Sequence, residues 1–341
     1  MGPLHDLTCV VHVHSTHSDG TGTVAEIAAA AARNAVDVVL LTDHDTLAAR
    51  RAGEEGWHGD VLVLVGEEVT PRNRDHYLAF GLDREVSRNQ PAAGIVSDVT
   101  ERGGFGFCAH PFSQGSKRFR RAAGMPWTDF DHEGIAGLEV WSFVTDTAEK
   151  LDSLRAAARF VAAPERWLDH PPERNLAEWD RLCAMRRVVG IAGIDAHQIG
   201  YRIRGHVPVR LMSYARSFRF LRTHVLADEA LDGELDHDAA LVYAALREGR
   251  CYMSVDDLGP PRGFSFSAGH TPMGGEAELD GQTLVATVPR PARLRLVRNG
   301  EPIAEREGSE IQHEAKEPGA YRIEAHLGQR SWILSNPIYL R

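Results

Sequence analysis

Short apolar runs in this chain repeatedly end on an imidazole or a carboxylate. His12 and His14 close the first run. His44 follows Val38 to Leu41, Glu68 follows Val61 to Val65, and His110 follows Phe105 to Cys108. Asp195 and His197 follow Val188 to Ile194. Continuous apolar runs of this length mark strands buried on both faces, as in a parallel sheet. A parallel barrel brings the carboxyl ends of such strands to one mouth. With Asp19 and His76, nine candidate ligands result. Mixed nitrogen and oxygen donors suit divalent transition metals, and so many donors point to a cluster of ions.

The intervening segments support alternation of strand and helix. As a regular strand, Val10-Val11-His12-Val13-His14 sets both histidines on one face. Thr23-Val24-Ala25-Glu26 is a capping-box pattern opening an alanine-rich helix that ends near Asn34. Leu138-Glu139-Val140 reads as another short strand, and Glu139 either faces the site or is an inward polar residue satisfied by its neighbours. Segment 145–187 reads as a helical insertion interrupted at Pro164 and Pro171-Pro172. Beyond Gly259-Pro260-Pro261 the pattern changes to short alternating strands, with a hairpin signal at Asn299-Gly300 and a turn at Pro318-Gly319. The expected fold is α/β: a closed or nearly closed parallel barrel over 1–260 and a small β-sandwich over 261–341.

A chain of 341 residues suits this two-part organisation. Its net charge of −10 disfavours nonspecific binding to nucleic-acid duplexes. Bound cations would reverse that sign locally, so an anionic substrate stays compatible. Cys9, Cys108, Cys183 and Cys251 form no CxxC pair and read as buried thiols of a reduced compartment. Cys108 has the same strand parity as His110 and so a side chain able to share its face. The first residues carry His5 and Asp6 with no apolar leader, and no run of eighteen apolar residues occurs. A cytoplasmic protein without membrane spans is expected.

Taken together and in order, the fragments HxHSxxSDG, TDHDT, GxEV, the histidine of HYLAFG, AHP and DAH resemble the PHP (polymerase and histidinol phosphatase) family over roughly residues 8–260. The resemblance implies a distorted (β/α)7 barrel holding two or three divalent ions: zinc, manganese or iron. It assigns His12, His14, Glu68 and Asp195 to one ion, Glu68, His76 and His110 to a second, and Asp19, His44 and His197 to a third. Glu68, rather than Glu67, matches the GxE spacing, and in a strand the two face opposite ways. Glu68, Asp195 and His197 are the expected catalytic residues.

The implied chemistry is hydrolysis of a small phosphate ester, of a metabolite or nucleotide, by hydroxide formed on the ions. Lys117, Arg118, Arg202, Arg204 and His206 are candidate substrate contacts, with a solvated surface role as the plainer reading; His17 also reads as a polar loop residue. Asp43 and Asp45 read either as orienters of His44, the reading preferred for Asp43, or as loop carboxylates. Two other functions fit the same residues: a carboxylic or carbamate esterase similar to the carbaryl-hydrolase branch of the family, and a non-catalytic metal-stabilised binding protein.

Overall fold

The computed structural model describes residues 4–72, 74–118, 124–198 and 212–341. The first part alternates strands and helices. It runs β1 (His5–Val13), α1 (Val24–Ala32), β2 (Val38–His44), α2 (Ala48–Arg51), β3 (Gly56–His58), β4 (Val61–Val69) and β5 (Tyr77–Phe80). It continues through α3 (Ala92–Glu101), β6 (Phe105–Cys108), β7 (Gly137–Ser142), α4 (Phe143–Glu149), α5 (Leu154–Ala162), α6 (Glu173–Met185) and β8 (Val189–Gly193). Then come α7 (Tyr214–Ser217), β9 (Leu221–Ala227), α8 (Leu235–Glu248) and β10 (Cys251–Val255).

Strands β1, β2 and β4 pair in parallel, as do β6, β7 and β8. The short β5 lies antiparallel between β4 and β6. The sheet closes on β1: the Ile194 amide donates to the Val11 carbonyl at 2.9 Å, and Val13 bridges Ala196. The outer edge of β1 is shared, because its first half, His5 to Cys9, pairs with β9 instead.

Period-two alternation sorts the strands' side chains into two cores. Cys9, Val11, Val38, Leu40, Leu62, Leu64, Leu78, Phe80, Phe107 and Ile191 fill the interior. Val10, Val39, Leu41, Val63, Val65 and Leu138 face the surrounding helices. Continuing the inner rows upward gives Thr42 then His44 on β2, and Gly66 then Glu68 on β4. Glu67 lies in the outer row, where its carboxylate accepts the Val86 amide at 2.7 Å.

The local signals for α1 and the hairpin match the observed geometry. Thr23 and Glu26 form a reciprocal capping box at the start of α1. Asn299 and Gly300 both have positive φ, 49° and 87°, and join strands Thr283–Arg298 and Glu301–Glu314, as a primed two-residue turn requires. Helices α4, α5 and α6 occupy the insertion between β7 and β8, broken at Pro164 and again before Glu173. No helix among the described residues is long and apolar enough to cross a membrane.

The C-terminal strands have their own apolar core, centred on Leu294, Leu296, Tyr321, Ile323, Trp332 and Ile338. They also extend the first sheet, because strand Arg330–Ser335 pairs antiparallel with β10. Asn336 completes the seam: its side chain accepts the Gly190 amide at 2.7 Å and donates to the Gly190 and Cys251 carbonyls at 2.9 Å. Arg322 grips α6 through a two-point ion pair with Asp180, both contacts at 2.8 Å.

Candidate metal centre

The nine candidate ligands, far apart in sequence, converge at one end of the closed sheet. His12 Nε2 and His14 Nε2 each lie 3.3 Å from Glu68 Oε2. The same nitrogens lie 3.4 and 3.5 Å from Asp195 Oδ1. A tetrahedron of ~2.1 Å metal–ligand bonds has edges of ~3.4 Å, and these four nitrogen–oxygen separations match that length; His12, His14 and Glu68 gather as one ligand-spaced group, and His12, His110 and Asp195 as another. Glu68 is shared further. Its Oε2 is 3.0 Å from His44 Nδ1, and its Oε1 is 2.8 Å from His76 Nδ1 and 3.2 Å from His110 Nε2. A third group gathers at the rim, where Asp19 Oδ1 lies 3.1 Å from His197 Nε2 and 3.5 Å from His44 Nε2, with His14 alongside.

The donor atoms fit cations better than they fit one another. His12 Nε2, His14 Nε2, His44 Nδ1 and Glu68 Oε2 are buried without a hydrogen bond of acceptable geometry. Leaving such atoms unsatisfied is costly, and atoms converging on a common centre are what ligation requires.

The histidines on β1 do not reach this centre by regular alternation, as the sequence pattern predicts. Val10 packs outward, so a regular strand would send His12 and His14 outward with it. Instead His12 sits at φ 67°, and the register with β2 slips between Val11 and Val13. This bulge puts Val13 on the outer side and re-aims both imidazoles into the mouth. His110 at φ 30° and Asp195 at φ 52° are also left-handed. Backbone strain at three candidate ligands matches what functional sites often show.

Glu139 settles between its two sequence readings by doing both. It is fully buried, and its Oε1 lies 3.0 Å from His12 Nδ1 while Oε2 accepts the His110 amide at 2.6 Å. It therefore fixes which nitrogen of His12 faces the centre. Replacing Glu139 with glutamine is expected to weaken metal affinity by ~10- to 100-fold, measured by competition with a chelating dye; unchanged affinity would contradict this role.

Two more braces carried no sequence signal. Thr145 Oγ1 donates to Asp195 Oδ2 at 2.7 Å, leaving Oδ1 to the centre. The buried Tyr214 hydroxyl donates to the His14 carbonyl at 2.6 Å and also meets the His197 carbonyl at 3.2 Å. A Cβ on Gly20 would lie 2.2 Å from the His14 carbonyl oxygen, so the turn carrying Asp19 needs glycine there.

The flanking acids behave differently from expectation. Asp43 does not touch His44; it accepts Ser15 N and Oγ at 2.7 Å and Ser18 Oγ at 2.6 Å, holding the loop between His14 and Asp19. Asp45 accepts the Thr70 amide at 2.8 Å and pairs with Arg88 at 2.9 Å. Cys108 packs among the outer apolar side chains, because the left-handed backbone at His110 breaks the shared parity. All four cysteines are free and buried, and burial pushes Cys183 and Cys251 up to about 12. His17 pairs with Glu54. Lys117 and Arg118 are exposed, and among the described residues neither contacts the cluster. Arg202, Arg204 and His206 lie outside the described residues.

Burial opposes the charge on His12, His14, Asp19, His44, Glu68, His110, Asp195 and His197, yet neighbours draw all but His14 toward the charged form. Glu139, Glu68 and Asp195 together hold His12 well above the usual imidazole range. Glu68 raises His44 and His110, while Asp19 and Asp195 lift His197 to about 9. Burial prevails at His14, with His197 and His44 adding repulsion, and lowers it to about 3. His12 leads the neighbours that keep Glu68 and Asp195 well below the usual carboxylate range despite burial.

In the ion-free protein His12 and His197 therefore carry protons at pH 7, and these must leave when a cation binds. Uptake of Mn²⁺ or Zn²⁺ at pH 7 is expected to release protons, and apparent affinity to rise as the pH climbs toward the value of about 9 at His197. A pH indicator in weakly buffered protein reads this directly; uptake without proton release would contradict it.

No family model and no curated protein matches the chain. Solved structures do. A two-domain protein from Bacteroides vulgatus, described as containing a predicted PHP-like metal-dependent phosphoesterase, aligns over 98% of this chain and 95% of its own, at 15% identity and TM-score 0.46. The likeness is to PHP-like phosphoesterases. A protein from Bifidobacterium adolescentis described as a metal-dependent phosphoesterase aligns over 60% of this chain and 91% of its own, at 15% identity and TM-score 0.32. An amidohydrolase from Chromobacterium violaceum with bound sulfate aligns over 55% of this chain and 87% of its own, at 17% identity and TM-score 0.28. At these similarities the functional reading rests on the site's own geometry.

Proposed function

We propose that this chain is a metal-dependent hydrolase of small phosphate esters, built as a distorted (β/α)7 barrel over 1–260 with a β-sandwich over 261–341. The supporting observation is the set of 3.3–3.5 Å separations that His12 and His14 make with Glu68 and Asp195, joined to two further groups through the two oxygens of Glu68. His12, His14, Glu68 and Asp195 would hold one ion, Glu68, His76 and His110 a second, and Asp19, His44 and His197 a third, His14 serving the first or third. Bound divalent cations supply Lewis acidity, making water a nucleophile near neutral pH and neutralising charge on the ester.

The chain's own residues set the direction of approach. His12, His14 and Glu68 are closed from solvent, while the Asp195 and His197 side chains are 16% and 24% exposed. Asp19 and His44 are more open still, at 61% and 27%, so ester and water enter over the rim formed by Asp19, His44, His197 and Asp195. Glu139 and Thr145 hold His12 and Asp195 in orientation, so little reorganisation is needed on binding. Asp19, Glu68, Asp195 and Glu139 supply four negative charges at most. Two divalent ions balance these, and a third leaves an excess that attracts an anionic substrate.

A second reading, hydrolysis of a carboxylic or carbamate ester, is favoured by one observation. Among the described residues no lysine or arginine contacts the cluster, so nothing but the ions would favour a phosphate over a carbonyl. A panel of nitrophenyl phosphate, a nitrophenyl phosphodiester and a naphthyl carbamate with Mn²⁺-, Zn²⁺- or Fe²⁺-loaded protein tests both. Metal-dependent release from the phosphates supports the first reading. Release from the carbamate alone supports the second and removes the first.

A further inference from the structure

Immediately beyond His110 the chain lines a cavity of about 500 Å³ with Phe112, Ser113 and Gln114, together with Gly124, Pro126 and Arg174. The Ser113 amide donates to the His110 carbonyl at 2.9 Å, so this wall and the imidazole belong to one turn. Arg174, in the first turn of α6, pairs with both oxygens of Glu149, and Glu149 also accepts the Gln114 amide at 2.7 Å. The Phe112 ring stacks on Phe130 with centroids 5.1 Å apart. The Ser113 hydroxyl is buried and has no hydrogen-bond partner.

These features select a chemical class. Glu149, behind the wall, cancels the charge of Arg174, while Arg174, Ser113 and Gln114 line the cavity with donors and acceptors. Among the described lining residues, a second anion on the substrate would find only Arg174, already neutralised by Glu149. A plain alkyl group would displace water from the remaining donors of Arg174 and from the Gln114 side-chain amide without replacing its hydrogen bonds, which is costly. A neutral group rich in hydroxyls offers a donor and an acceptor at each oxygen and an apolar C–H face toward Phe112.

We propose that this cavity holds the leaving alcohol of the ester, and that the alcohol is a sugar or polyol held by Gln114 and Arg174. The proposal rests on the phosphoesterase reading above. In the reaction the phosphorus–oxygen bond to the polyol breaks, water supplies the new oxygen on phosphorus, and a proton ends on the released hydroxyl.

The test compares glucose 6-phosphate, n-hexyl phosphate and 2-phosphoglycerate with metal-loaded protein. Glucose 6-phosphate is expected to exceed hexyl phosphate in kcat/KM by ~10-fold or more, about the value of one lost hydrogen bond. Arg174→Met and Gln114→Ala are each expected to cut that ratio severalfold; Gln114 is exposed, so its substitution leaves folding intact. A ratio near one, a ratio unchanged in both variants, or a preference for 2-phosphoglycerate overturns the proposal. If none of the three monoesters is cleaved, the nitrophenyl panel above decides the phosphoesterase reading, and saturation-transfer NMR with free glucitol still decides the cavity. Transfer that is lost in both variants supports it; absent transfer overturns it.

Discussion

Replacing Glu68 with glutamine is expected to empty the centre of metal and lower turnover by at least ~10³-fold, since ion-based stabilisation is worth several kcal/mol. No other side chain is shared so widely: Oε2 faces His12, His14 and His44, and Oε1 faces His76 and His110. Glutamine keeps the shape but turns one of the two oxygens into an amide nitrogen that donates protons and does not ligate. It also removes the carboxylate that offsets the charged imidazoles in the ion-free state. The metal-free variant should therefore melt lower at pH 7 as well. Metal analysis, kcat and thermal unfolding on the same preparation check this; a variant with full metal content and wild-type turnover would sink the assignment.

Gly193→Ala should be nearly as damaging, although Gly193 is not itself a ligand. A Cβ there would stand 1.7 Å from Glu139 Oε1 and 2.7 Å from its Cδ. Glu139 has little freedom to yield, being fully buried and held by His12 and the His110 amide. Either the strand moves or Glu139 leaves its two partners. We expect a loss of about 3 kcal/mol in stability, at the upper end for overpacking, with weakened metal binding. Adding Glu139→Asp, which withdraws the carboxylate by one methylene, should recover part of the stability. Wild-type stability and metal content in Gly193→Ala alone would show that Glu139 is not where the structure places it.

Much of this centre is legible along the chain. On β2 and β4, period-two counting from Val38 and Leu62 leads correctly to His44 and Glu68 on the inner face and puts Glu67 outside. Local turn chemistry is equally readable at the Thr23–Glu26 capping box and the Asn299–Gly300 hairpin, because those interactions lie within three residues. The same counting fails on β1. No residue type announces the bulge at His12; it exists because β1 must pair with β2 on one edge and with both β9 and the segment after β8 on the other. Thr145 and Tyr214 carry no signal along the chain because each partner lies far away in sequence, and a lone Thr or Tyr fits many neutral roles; Glu139 is visible as a candidate, but its two partners are not. Asp43 misled for the opposite reason, since adjacency to His44 resembles an orienting contact that the strand's alternation forbids.

The order and chemistry of the donors, and the strands that deliver most of them, follow from the sequence by itself, because short-range periodicity and residue type suffice to specify them. Tertiary structure alone decided which oxygen of Glu68 meets which imidazole, that β1 must bend to present His12, and that Glu139 sits beneath the centre. Those outcomes depend on closing the sheet around a fixed interior volume, a constraint that no local stretch of chain contains.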